Sequence, residues 1–145
     1  MKNYLMENFE KVNVILITLL IFILLILIFM SYVINSENYK KIVSLYENKF
    51  GCLPQTARMT KGASLIGSPA VYHAKIGFIM GSLIYPYNRV TNHDMSIEAY
   101  NFIRNLPGEL TIGFKVEAVF WLLGFMVFAC FVFLNIFFGP DIFSF

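Results

Sequence analysis

Apolar and polar positions are distributed along this chain in long blocks. Residues 14–34 carry no charge; 17 of these 21 residues are Val, Ile, Leu or Phe, and the others are Thr18, Met30, Ser31 and Tyr32. As a helix this run is about 30 Å long, the thickness of a bilayer's hydrocarbon core. A second uncharged run, 118–138, contains Trp121, many phenylalanines and the small residues Gly124, Ala129 and Cys130. Each Leu, Ile, Phe or Val near a helix centre favours insertion by about 0.3 to 0.6 kcal/mol, and lipid forces such segments to satisfy their backbone hydrogen bonds internally. The pattern predicts two transmembrane helices, 14–34 and 116–138, with short tails at 1–13 and 139–145.

Between the two runs the period changes. After Ser36, a candidate cap, the apolar residues Tyr39, Ile42, Val43, Tyr46 and Phe50 recur at helical spacing, and Gly51 stands where such a helix would stop. This amphipathic helix is expected either to prolong the first span into water or to bend along the membrane surface. Residues 52–68 are rich in Pro, Gly, Ser and Thr and read as a connecting loop. Residues 76–85 form an apolar patch too short to span, closed by Pro86. Such a length fits an interfacial or re-entrant segment, or a core helix of a small loop domain, and the interfacial placement is the expectation here. Thr91, Asn92, His93 and Asp94 offer capping oxygens ahead of a helix carrying Met95, Ala99, Phe102, Ile103 and Leu106, which Pro107 and Gly108 end.

Composition strengthens the membrane reading: 58% of residues are hydrophobic, 14% are charged and there are 16 Phe. The apolar run is longer than a signal-peptide core, and no small-residue cleavage pattern follows Ser31, so the first helix is expected to remain as an anchor. Charge sets the expected orientation. The region 35–115 contains nine Lys and Arg against five acids, whereas the first 13 residues hold only Lys2 and Lys11 as basic groups and the residues after 138 hold none. Basic residues near spans favour the cytoplasm, so 35–115 is expected there, with both termini on the far side. Lys40, Lys41, Lys49, Arg58, Lys61 and Lys75 are candidate contacts to anionic lipid of the inner leaflet.

Candidate chemistry is sparse. His73, His93, Asp94, Cys52 and Glu98 form no H-E-x-x-H, C-x-x-C or phosphate-loop pattern, so no catalytic, metal or cofactor residues are assigned. Cys52 and Cys130 read as plain thiols. Nothing suggests nucleic acid. Neither 21-residue run contains an acidic or basic residue, so proton relays and ion pathways lack their usual marks. Asn135 lies near the end of the second run and reads as interfacial. Small residues suggest helix packing instead: Gly77 with Gly81 inside the short patch, and Gly124 with Ala129 in the second span, where another helix or a second copy could approach.

The stretch from His73 to Phe133 resembles the universal stress protein B family of small two-span bacterial inner-membrane proteins. The likeness lies in Lys75, Phe78 and Tyr85, then Tyr87 and Arg89, the pair His93 and Asp94, the triplet Phe102, Ile103 and Arg104, and the closing span. This chain is longer before the patch, and has Pro107, Gly108 and Glu109 where that family is rich in arginine. The resemblance implies an inner-membrane protein linked to stress or stationary phase, without the nucleotide site of soluble universal stress proteins. The expected fold is therefore an all-α membrane protein: two spans flanking a cytoplasmic region of short amphipathic helices. The expected role is that of a non-enzymatic adaptor or regulatory subunit. The alternative is a membrane enzyme or transport component using His73, His93 and Asp94.

Overall fold

The structure, a computed structural model, describes residues 8–88, 90 and 92–138. Residues 1–7 of the first tail, all of the tail 139–145, Arg89 and the proposed cap Thr91 lie outside them. All elements are helical: α1 (Phe9–Phe29), a π-helical turn (Met30–Ile34), α2 (Asn35–Phe50), α3 (Gln55–Met59), α4 (Pro69–Ile84), α5 (Ile97–Arg104) and α6 (Gly108–Phe138). Two uninterrupted helical segments, Phe9–Phe50 and Gly108–Phe138, are long and apolar enough to cross a membrane. The amphipathic stretch after the first apolar run therefore prolongs its helix. The second long helix starts at Gly108, well before the run that revealed it.

The chain divides into two compact units. One takes in the described residues up to Leu27 and from Val119 onward. Here α1 and α6 run antiparallel, with Asn13 facing Asn135 and Ile23 facing Gly124. Most of their apolar side chains point outward: Phe22, Phe125 and Ile136 are all at least 60% exposed. A water-soluble pair would not tolerate so continuous an apolar exterior, whereas lipid would match it.

The other unit, Ile28–Ala118, has an enclosed core. Ile42, Val43 and Tyr46 form the buried stripe of α2, joined by Ile76, Phe78, Ile79 and Met80 of α4, by Ala99, Tyr100 and Ile103 of α5, and by Phe114 of α6. Helix α4 runs alongside α2 in the same direction. Lys75 Nζ lies 4.7 Å from the Tyr39 ring centroid, and the Phe78 ring lies edge-on to Tyr46 at 5.6 Å. Gly51, at φ 82, ends α2 in a conformation that favours glycine, and its N–H donates to the Glu47 carbonyl.

Several expectations are revised here. The apolar patch 76–85 is not an interfacial segment: it is the larger part of α4, whose Ile76, Phe78, Ile79, Met80, Gly81 and Ser82 are buried by the protein itself. The 52–68 loop contains the short helix α3. The cap of α5 is Ser96, whose Oγ accepts from Ala99 N at 3.2 Å. Asp94 serves α3 instead, accepting from Thr56 N at 2.9 Å. Asn135 is not purely interfacial: its amide pairs reciprocally with that of Asn13, at 3.1 and 3.3 Å.

Candidate functional site

Several of the buried polar residues gather at the end of the first apolar run. The π-helical turn places Ser31 and Asn35 there, both buried, and the Asn35 backbone N–H closes the wide turn by donating to the Met30 carbonyl. Such turns insert one extra residue into a helix and recur at functional positions. Helix α6 brings Glu117, which is 0% exposed, and the start of α4 brings Tyr72. Asn35 Nδ2 donates to Glu117 Oε2 at 2.6 Å, and the Tyr72 hydroxyl donates to the same oxygen over a longer 3.5 Å. Ser31 lies close to the Tyr72 hydroxyl. Burial, followed by the nearby Glu117 charge, raises the Tyr72 hydroxyl's pKa, which keeps the phenol protonated and able to donate.

Gly113 makes this arrangement possible. A Cβ at that position would lie 2.1 Å from Asn35 Oδ1 and 3.2 Å from Asn35 Cγ, so the amide occupies the space a side chain would need. The Cα–H of Gly113 points at Oδ1, which has no conventional hydrogen-bond donor. A weak C–H···O contact stands in its place. Glycine is required here by close approach rather than by an unusual φ.

Sequence reading missed this cluster. Glu117 looked like a flanking charge, and Asn35 like the first residue beyond a span. A signal did exist: Gly113 and Glu117 are four apart, in helical phase with buried Phe114, and Asn35 directly follows an uncharged run.

The residues singled out from sequence are dispersed. Lys40 pairs with Glu37 at 2.6 Å and Lys61 with Glu47 at 3.0 Å, both on the surface. The Lys40 cation holds the Glu37 carboxyl below the usual carboxylate range. Lys41 and Arg58 are exposed. Lys49 lies over the rings of Phe50 and Phe102. Lys75 is drawn inward, donating to the Ala63 carbonyl at 2.9 Å, and burial lowers its pKa. Among the described residues a Cβ on Gly77 would meet nothing within 4 Å, whereas Gly81 is buried in the core. A Cβ on Gly124 would lie 3.3 Å from Ile23 of the same chain, and Ala129 is exposed. His73 sits on the outer side of α4, where partial burial lowers its pKa. His93 is exposed in a turn, and Cys52 and Cys130 are free and exposed. Among the described residues no three His, Cys, Asp or Glu side chains are grouped to hold a metal ion. Comparison of the chain with protein-family models, curated proteins and solved structures finds no match.

Proposed function

We propose that this chain is a non-enzymatic adaptor or regulatory subunit of a bacterial inner membrane, anchored by two spans, with residues 35–115 on the cytoplasmic side and both termini in the periplasm. The observation that carries this reading is the enclosure of the Asn35, Tyr72 and Glu117 cluster. Its polar atoms face one another at 0–5% exposure, an arrangement that braces three helices and leaves a substrate no route to the carboxylate. The outer surface is then the working part. It exposes Met59 (78%) and Ile97 (56%), together with Lys41 and Arg58. Those basic residues, with Lys40, Lys49 and Lys61, suit an anionic leaflet or an acidic partner. The resemblance to universal stress protein B proteins extends this reading to a role in stress.

Reporter fusions after residue 100 and at the C-terminus test the orientation, with cytoplasmic and periplasmic signals expected respectively. The role is tested by photocrosslinkers at Met59 and Ile97, which should trap a discrete membrane-protein adduct or a second copy, weakened by K41E with R58E. Phe102 and Ile103 are unsuitable for such a test: Ile103 is fully buried and Phe102 packs on Phe50, so charge there would disturb the fold. If single alanine changes at His73, His93 or Asp94 eliminate the cellular phenotype at normal abundance, the membrane-enzyme or transport reading replaces this one.

A further inference from the structure

We infer that the turn 65–71, between α3 and α4, is a second and non-spanning membrane contact, with Ile66 and Val71 in the lipid of the leaflet that holds Ser31 and Glu117. The inference rests on the two-span reading above. Its basis is the direction of α4. Tyr72 meets Glu117 and Ser31, Lys75 lies over Tyr39, and Phe78 packs on Tyr46, so α4 runs away from the first apolar run as residue number rises. Its N-terminus therefore points the opposite way, toward lipid. Ser31 lies inside the uncharged run 14–34 and Glu117 borders the run 118–138. Pro69, three residues before Tyr72, sits about 4.5 Å deeper along the helix direction, and the turn preceding it is at that depth.

The chemistry of the turn suits that position. No Asp, Glu, Lys or Arg occurs between Lys61 and Lys75. Leu65 anchors the turn in the core at 1% exposure, whereas Ile66 is 70% exposed and Val71 41%. Polar backbone groups are expensive in lipid unless satisfied internally. Here Gly67 N donates to Ser64 Oγ, Ser68 N to the Ser64 carbonyl, and Tyr72 N to the Ser68 carbonyl. Pro69 opens α4 without an N–H to satisfy. An exposed apolar tip on an internally bonded, uncharged turn fits acyl chains at the edge of the headgroup region.

Single cysteines test this in the full chain with Cys52 and Cys130 replaced by Ala. Ile66→Cys, Val71→Cys, Phe125→Cys and Met59→Cys would each be labelled with an environment-sensitive fluorophore in phosphatidylcholine and phosphatidylglycerol liposomes. Met59 adjoins Lys61, which pairs with Glu47, sixteen residues and about 24 Å beyond Ser31 along the helix. Labels at 66 and 71 should shift to the blue, lose emission to a lipid carrying a doxyl group near its headgroup, and resist aqueous iodide. The Met59 label should show the reverse. If 66 and 71 behave like 59 while 125 is quenched by doxyl lipid, the turn inference fails and the spans stand. If both quenchers fail at 66 and 71, protein covers the turn and the inference fails too. An iodide-accessible label at 125 would overturn the two-span reading itself.

Discussion

Each of the two regions of this molecule contains a side-chain hydrogen bond made by an asparagine, and the two settings differ. Asn13 meets Asn135 in a neutral amide pair within a helical pair whose side chains mostly face outward. Asn35 meets Glu117 in an enclosed core, where polar groups depend on protein for partners. Apolar residues do different work in each. In the helical pair most of them face outward, where they have few protein neighbours to fit. In Ile28–Ala118 they exclude water, and an error in one side chain is felt by its neighbours.

The largest expected effect follows from applying one substitution to both regions. Asn35→Leu leaves the buried Glu117 carboxylate without its closest donor and should destabilise Ile28–Ala118 by about 3 kcal/mol. Asn135→Leu should cost about 0.6 kcal/mol, as for hydrogen bonds between membrane helices. Hydrogen exchange of α2 and α4 amides in detergent micelles reads the first, and exchange along α1 the second. Equal effects would erase the distinction.

Next come the two close-packed glycines. Gly113→Ala drives a methyl into the Asn35 amide and should cost about 1–3 kcal/mol, with loss of the Asn35–Glu117 hydrogen bond. Gly124→Ala places a methyl 3.3 Å from Ile23 Cγ2, which can rotate aside, so a cost under about 1 kcal/mol is expected. Thermal melting of both variants in the same micelles ranks them.

Alkaline pH should also distinguish the regions. Burial, reinforced by Glu47 for Tyr39 and by Asp94 for Tyr46, pushes both phenols from 10.0 up to about 12. Folded pKa values above the unfolded ones mean that this stability is complete below about pH 10 and is lost as pH rises toward 12. Protection of α2 amides should fall across that window, while amides in the middle of α1, which has no titratable side chain beyond Lys11, should respond little. The most local effect is Ser96→Ala, which removes the α5 cap and should cost about 1 kcal/mol; a rise in exchange confined to the start of α5, at Ala99, would register it.

Much of the architecture was legible before any coordinates. The two apolar runs, the helical stripe Ile42, Val43 and Tyr46, and the stop at Gly51 depend on local composition and period, and all reappear in the structure. The patch 76–85 was misplaced because ten apolar residues look the same whether lipid or protein covers them. Only the packing of α2, α5 and α6 around α4 shows that protein does so. The expected cap Asp94 gave way to Ser96 for a related reason: several side chains able to cap stand close together, and the position of α3 decided that Asp94 would serve it instead.

What the sequence determined by itself, then, was where chain could cross lipid and which stretches would be helical, because insertion and periodicity are sums over neighbouring residues. What tertiary structure alone decided was the fate of individual polar groups. Asn35 and Glu117 are 82 positions apart, and neither is unusual in its local context. Their pairing exists because α2 and α6 approach at Gly113, close enough for an amide to fill the place of a side chain and exclude water from a carboxylate. That proximity is a property of packed helices, and no window of neighbouring residues contains it.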